Sequence, residues 1–468
     1  MILKTILAII LLYSIYVFFT AYLLFLVPSP SKIENTDIEK TLTEGNTTDR
    51  VMLLEDGFRS GQVRIQTIRE ATTSIDLAYY SIQKGKTSQL VFAALFDAAD
   101  RGVHIRIILD GIFHNLRGEL RDIPDAIAAH PNIELRYYEP LHLLKPWTWH
   151  NRLHDKILLV DNTYGIIGGR NIGDKYMALK PPKDYVFDRD VLVYNPYHDT
   201  NSTVVEMKKY IDRLWNHPFT KPEKHAKRQH HAKGLKEQAQ LAQLYKEAQA
   251  QNDPFVEVLP KKWAQASLQS DHVVFLHNPI TRFYKEPIMW NVFVRFANQA
   301  QSRVYLQMPY AIPTQKMRKA VNVSIIPTVN VEYLMLTNSI NQTPNPLAFA
   351  GYLSSKKQLL DTGLSIYEYE GPNSIHGKSF VIDDYLSMVG SFNLDARSTF
   401  LNTESAVVIS GPAFASQLTE AMDNKRANST HFTTDDHSKK STNQKGSSFK
   451  RMAITALSKL SFLWKAFL

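Results

Sequence analysis

The sequence predicts an α/β protein: two similar α-β-α lobes with mixed sheets that share one active site, behind an N-terminal transmembrane helix. Three observations carry this. An uncharged apolar run opens the chain, helix and strand patterns alternate after it, and one polar motif occurs at matching places in two halves.

With 468 residues, 44% of them hydrophobic, there is material for a large duplicated core. Cysteine is absent, which excludes disulfides, thiolate catalysis and thiolate-held metals but leaves the compartment open. Lys and Arg number 54 against 45 Asp and Glu, a balance that favours an anionic partner such as nucleic acid, anionic lipid or a phosphorylated substrate.

Residues 1–30 read as a membrane anchor. Thr5 to Val27 carries no charge, and its 23 residues would make roughly 35 Å of helix, enough to cross a bilayer core. The run is long for a signal peptide, and Val-Pro-Ser-Pro after it suits cleavage poorly. Lys4 precedes the span while Lys32 to Asp49 is mixed and slightly acidic, so the positive-inside tendency puts the amino terminus in the cytoplasm. The expectation is a single-pass protein of the cell membrane with its catalytic body outside. Residues 31–50, polar and turn-prone, read as a tether.

Residues 51–215 form the first predicted lobe. A helix from Gly61 to Thr73 leads into the strand SIDLAYYSI, and another from Thr87 to Arg101 leads into VHIRIILD. Residues 256–430 repeat the scheme: VFVRFANQAQ leads into SRVYLQMPYAI, and a basic helix near Gln315 to Val321 leads into NVEYLMLTNS. Between the lobes, residues 216–255 read as a basic, exposed helical linker. Its His225, His230 and His231 lack carboxylates at ligand spacing and read as a solvated face rather than a metal site. Residues 431–468 form a basic tail with seven Lys or Arg and no acid after Ser438. There Phe449, Ala453, Ala456, Leu457, Leu460, Leu463, Trp464 and Phe467 share one helical stripe, which suits an anionic bilayer surface.

The chemistry sits in two segments. HDKILLVD runs from His154 to Asp161 and HGKSFVID from His376 to Asp383. In a strand, His and Lys two apart face the same way, and one such pair alone means little. The agreement continues, however: Gly168 and Gly390 each follow their histidine by 14 residues, and Asn171 and Asn393 by 17. Asp190 in RDVLV and Glu404 in TESAVVI each place a carboxylate ahead of a β-branched strand.

Two imidazoles, two ammonium groups and two amides converging on one cleft form a trap for a phosphate. Lys156, Lys378, Asn171 and Asn393 can donate to its non-bridging oxygens. One neutral histidine can attack phosphorus while the other, protonated, supplies the leaving oxygen with a proton. Asp190 and Glu404 are the expected acceptors that orient the rings. This scheme needs no metal and no other cofactor.

His-x-Lys-x4-Asp, Gly-Gly/Ser and Asn, present twice, resemble the phospholipase D superfamily over roughly Val51 to Asn428, the linker excepted. NRLHDKILLVD…IIGGRNIGDKY and IHGKSFVIDD…VGSFNLDARSTFLNTE are similar to bacterial cardiolipin synthases, above all their C-type branch. The resemblance implies two phospholipase-D-like lobes and a phosphatidyl-histidine intermediate, with His154 as nucleophile and His376 as general acid, then base. It implies that Asp161 and Asp383 complete the catalytic motifs in a supporting role. It also implies that Arg397 assists headgroup or phosphate binding.

The substrate has to come from local context, because this machinery serves lipids and nucleic acids alike. LHLLKPWTWHNR before His154 supplies Leu141, Leu143, Leu144, Trp147 and Trp149, which suit acyl chains or an interface better than a nucleic-acid backbone. The leading expectation is a membrane phosphatidyltransferase moving a phosphatidyl group from one phospholipid to the hydroxyl of another, with phosphatidylglycerol first and phosphatidylethanolamine second as partner lipids. No stable nucleic-acid partner is expected. A hydrolytic phospholipase D, an anchored nuclease or phosphodiesterase, and an idle scaffold stay open.

Overall fold

Two strand-rich units follow one isolated helix. The computed structural model describes residues 1–25, 48–223, 228–259, 262–320, 330–435 and 448–468. The first lobe is built on a nine-stranded sheet. Its order is Leu268–Gln269, Arg50–Leu54, Asp190–Tyr194, Tyr164–Gly168, Lys156–Val160, Ser74–Tyr79, His104–Asp110, Ile133–Tyr138 and Thr220–Pro222. The second sheet has eight: His272–His277, Ser405–Ser410, Leu386–Gly390, Ser379–Ile382, Arg303–Gln307, Glu332–Asn338, Ser365–Tyr369 and Ser429–Phe432. Eight strands correspond one to one in the two orders. In each lobe three neighbours run parallel, Ser74 to Tyr138 in the first and Arg303 to Tyr369 in the second, while the remaining pairs are antiparallel. The parallel pairs require crossovers, and the helices Lys86–Asp100 and Pro346–Asp361 provide two of them.

The residues explain these elements. Asp56 caps the helix Gly57–Glu70 by accepting from the Arg59 backbone N–H, so that helix starts and ends before the expected Gly61–Thr73. The strands Lys156–Val160 and Ser379–Ile382 are buried along their whole length, which is why they read as continuous apolar runs. Each turns back through a pair of residues at positive φ, Asp161–Asn162 and Asp383–Asp384, as tight hairpins of this hand require. One core lies outside each sheet. A third joins residues of both, among them Ala78, Ile157 and Val193 with Tyr305, Val389 and Val407. The two lobes therefore share an apolar interior.

Three segments depart from the expected layout. The linker helix Arg228–Ala250 is not a free solvated rod: Leu241, Tyr245 and Ala248 are buried in the first lobe's core. Gly234 allows this approach, because a Cβ there would lie 2.2 Å from the Asp125 carbonyl oxygen. His230 pairs with Asp125, His231 is exposed, and His225 lies outside the described residues. The chain that follows, through Phe255, Leu259, Trp263 and the edge strand Leu268–Gln269, still belongs to the first lobe. The second lobe thus begins near His272 rather than at residue 256.

The tail helix Ser448–Leu460 docks on the second lobe instead of lying wholly on a membrane. Ile454 is buried, and Leu457, Trp464 and Phe467 pack against the same core. Leu460 and Leu463 of the expected stripe remain exposed, as do Met452 and Phe462. Most of the tether at residues 31–50, and the side chain of Phe449, lie outside the described residues.

The opening helical segment Ile2–Phe25 is long and apolar enough to cross a membrane, and none of its residues from Ile2 to Val17 is buried in the protein. Its far end is built into the second lobe. Phe25 is fully buried, with ring centroids 4.9 Å from His150 and 5.6 Å from Phe283.

Candidate active site

His154 and His376 each precede a central strand of their own lobe but are fixed by the other. The His154 backbone N–H donates to the Thr403 carbonyl (3.2 Å), and the His376 backbone N–H to the Phe187 carbonyl (2.6 Å). The ring contacts cross over in the same way. His154 Nδ1 lies 2.9 Å from Glu404 Oε2 of the second lobe, and His376 Nδ1 lies 2.6 Å from Asp188 Oδ2 of the first. Both carboxylates are inaccessible to solvent, while the histidines keep 13% and 18% of their side chains exposed. With Nδ1 engaged on both rings, Nε2 is the atom left to face the cleft at His154, while at His376 Lys378 Nζ lies 2.5 Å from Nδ1 and 3.3 Å from Nε2. Neither lobe assembles this arrangement alone.

Lys156 and Lys378 are fully buried, and each ammonium folds back onto the carbonyl oxygen of its own histidine. Lys378 Nζ also lies 3.6 Å from Asp188. Burial, and then the two lysine charges, push His154 well below the ordinary imidazole range. Burial and Lys378 bring His376 down to about 4, against the opposing pull of Asp188. Burial lowers Lys156 to about 7, with Lys378 adding to the effect. The two carboxylates differ. Burial raises Glu404 to about 7, whereas at Asp188 burial is outweighed by Lys378, His376 and Arg170, which hold it ionised well below the usual range.

Asn171 and Asn393 are buried at corresponding positions, and the amide oxygen of each has no hydrogen-bond partner among the described residues. Asn171 Nδ2 reaches the Tyr176 hydroxyl at 3.4 Å, and the Tyr176 ring lies 6.3 Å from His376. Each buried amide oxygen therefore keeps accepting capacity for a hydroxyl or amine of a bound ligand. Arg397 is held by the Phe467 carbonyl (Nε, 2.7 Å) and the His150 carbonyl (3.2 Å). It interacts electrostatically with Tyr80 and Tyr310.

One expected residue is replaced. Asp190 does not orient a histidine: it is locked in a buried cluster with Arg64 (3.0 Å), Arg170 (3.1 Å) and the Ser60 hydroxyl (2.7 Å). Sheet register shows why. Gly168 pairs with Asp190 and Gly390 with Ala406, so the true counterpart of Glu404 is Asp188, two residues earlier. Two residues are roughly 6.6 Å along a strand, enough to move the carboxylate out of reach of the ring. The adjoining glycine fits the same correction, since a Cβ at Gly169 would sit 2.1 Å from Asp188 Oδ1. Its counterpart Ser391 instead donates to the longer Glu404.

Asp161 and Asp383 stand at the far ends of their strands, away from the histidines. Asp161 accepts from the backbone N–H groups of Thr72, Thr73 and Ser74, and Asp383 from those of Gln301, Ser302 and Arg303. They fasten the start of the neighbouring strand and touch nothing in the cleft. Sequence reasoning missed Asp188 and also Tyr80, whose ring lies 5.1 Å from His154 and carries Lys156 Nζ 5.3 Å from its centroid. The second tyrosine of SIDLAYY, just past the strand end, was the available signal.

A duplicated α/β fold with a crossed histidine–carboxylate pair defines a phospholipase-D-like class of protein. The family described as cardiolipin synthase, PLD-like domain, matches residues 64–215 and 293–426, and the chain belongs to it. It is a transferase enzyme of that superfamily. An uncharacterised protein of Helicobacter pylori (strain ATCC 700392 / 26695) is 28% identical over 413 residues, covering 81% of this chain and 79% of the relative. Cardiolipin synthase C of Escherichia coli K12 is 27% identical over 408 residues, covering 77% and 81%. A Staphylococcus aureus cardiolipin synthase is 25% identical, covering 84% and 71%. Among solved structures, phosphatidylserine synthase of Haemophilus influenzae Rd KW20 aligns with a TM-score of 0.61 over 89% of this chain and 95% of its own, at 15% identity.

Proposed function

We propose that the protein is a membrane phosphatidyltransferase of cardiolipin-synthase type, moving a phosphatidyl group from one phospholipid onto a hydroxyl of phosphatidylglycerol. The observation that carries this is the crossed pair His154–Glu404 and His376–Asp188, flanked by two buried lysines.

In the first step His154 Nε2 attacks phosphorus. The bond to the donor's headgroup oxygen breaks, and His376 supplies that oxygen with a proton. In the second, His376 takes the proton of the acceptor hydroxyl as its oxygen attacks phosphorus, and the P–N bond to His154 breaks. These roles are the ones the family resemblance implies, and ionised Asp188 beside His376 supports an imidazolium there. A bound phosphodiester's negative charge offsets Lys156 and Lys378, the charges that lower His376, and so returns a proton to it. Lys156, Lys378, Asn171, Asn393 and Arg397 would hold the phosphate and headgroup.

The test is expression in bacteria lacking their own cardiolipin synthases, followed by lipid separation. Cardiolipin is expected with wild type and absent with His154→Ala or His376→Ala. Free phosphatidic acid accumulating without cardiolipin would replace this reading with a hydrolase.

A further inference from the structure

The loop from Leu141 to Trp149 carries an observation that catalysis does not explain. Leu141, Leu143 and Leu144 are 56%, 62% and 70% exposed, a concentration of bare leucine side by side on one loop. Beneath them, the carbonyls of residues 142–146 nevertheless all have protein partners. The His142 carbonyl accepts from the Lys145 N–H and from Trp149 Nε1 (3.0 and 3.1 Å). Leu143 and Leu144 carbonyls accept from the Tyr13 and Tyr16 hydroxyls of the apolar helix (2.8 and 2.7 Å). Lys145 and Pro146 carbonyls accept from the N–H groups of Thr148 and Trp149.

Five consecutive loop carbonyls thus have protein partners while the side chains beside them lie open. In water such partners are optional, since solvent can satisfy an exposed carbonyl. In hydrocarbon they are a requirement, and bare leucines become favourable. We propose that this loop penetrates the leaflet nearest the catalytic body, with Leu143 and Leu144 in the acyl-chain region, so that the active-site mouth is seated in the membrane.

The depth follows from the helix. The Ala21 carbonyl lies 2.7 Å from His150 Nε2, marking where the helix enters the protein. Tyr16 and Tyr13 are five and eight residues before it, or about 8 and 12 Å along the axis. That passes the headgroup layer but stays within one leaflet. Trp147 and Trp149 flank the tip nearer the protein, and His142 and Lys145 are long enough to reach back towards the headgroups. Phe462 and Leu463 of the tail, 71% and 48% exposed, continue the apolar rim, with the Leu463 carbonyl 3.5 Å from the Tyr22 hydroxyl. The occupant of this surface is therefore the bilayer that holds the helix.

Absence of native cysteine makes the test clean. Leu143→Cys and Leu144→Cys in the full chain, labelled with an environment-sensitive fluorophore, are reconstituted into phosphatidylglycerol–phosphatidylethanolamine vesicles. Lys233→Cys on the exposed linker helix supplies the aqueous reference. At positions 143 and 144 the expected result is blue-shifted emission, stronger quenching by acyl-chain than by headgroup spin labels, and protection from dithionite added outside. Emission and dithionite sensitivity equal to the Lys233→Cys reference would overturn the proposal. An unchanged melting temperature certifies each labelled variant as folded. The readout is depth rather than turnover, so it stands or falls independently of the lipid chemistry proposed above.

Discussion

Replacing Asp188 by Asn is the sharpest probe of the site, because its neighbour Asp190 offers an internal contrast. Asp188 Oδ2 lies 2.6 Å from His376 Nδ1 and 3.6 Å from Lys378 Nζ, and no side-chain surface of Asp188 or Lys378 is exposed. An amide keeps the shape but removes the charge that supports an imidazolium. Losing a charge-assisted hydrogen bond costs about 1.5–3 kcal/mol, or roughly 10- to 150-fold in rate. If the amide N–H also drives the ring into the wrong tautomer, the loss approaches the ~10⁴ known for the equivalent change in a serine-protease triad. Asp188→Asn should therefore lower kcat/KM by about 10 to 10⁴.

Asp190→Asn removes the anion between buried Arg64 and Arg170, a change that costs about 3–5 kcal/mol of stability and only weakly affects the rate of the folded fraction. The assay is transfer of labelled phosphatidyl groups in mixed micelles, alongside thermal melting of both variants. Asp188→Asn retaining activity within about threefold of wild type, or Asp190→Asn being the inactive but stable one, would refute the crossed-carboxylate reasoning.

Three further outcomes follow. With the phosphate label carried on the donor lipid, wild type should retain acid-labile label on the protein while His154→Ala retains none; label held by His154→Ala would reverse the nucleophile assignment. Asp161→Ala should lose about 1–2 kcal/mol by abandoning three strand-start N–H groups, yet keep its specific activity, as melting and rate measurements on the same preparation would show. Glu404 is raised to about 7 in the fold from an ordinary 4.5, so the folded chain favours its protonated form and that contribution to stability is lost as pH rises from 4.5 through 7. Glu404→Gln avoids the loss, so its stability relative to wild type should climb across that window by on the order of 3 kcal/mol. A difference independent of pH, measured by melting, would show that Glu404 is not so perturbed.

Much of this was legible from residue order because it is local or repeated. The uncharged run at Thr5–Val27 declares a bilayer-length helix by length and composition alone. Buried strands announce themselves as ILLV and SFVI, and the equal spacing of His, Lys, Gly and Asn in two places makes a paired site hard to avoid. Gly169 was visible too, although its reason, room for the Asp188 carboxylate, was not.

What the chain order could not express is which surfaces meet. Asp188 and Asp190 both precede a β-branched strand, and offset from the histidine cannot separate them because the intervening loops differ in length; only strand register does. The tail's apolar stripe suits a bilayer or a protein groove equally, and packing of Ile454 and Leu457 on the second lobe chose the groove. The sequence by itself determined two lobes, two histidines and one apolar helix of bilayer length, since periodicity, motif spacing and hydropathy are properties of neighbours along the chain. Tertiary structure alone decided that each histidine takes its carboxylate from the opposite lobe and that the leucine loop lies along the apolar helix. Those contacts join residues more than a hundred positions apart, and no local pattern encodes them.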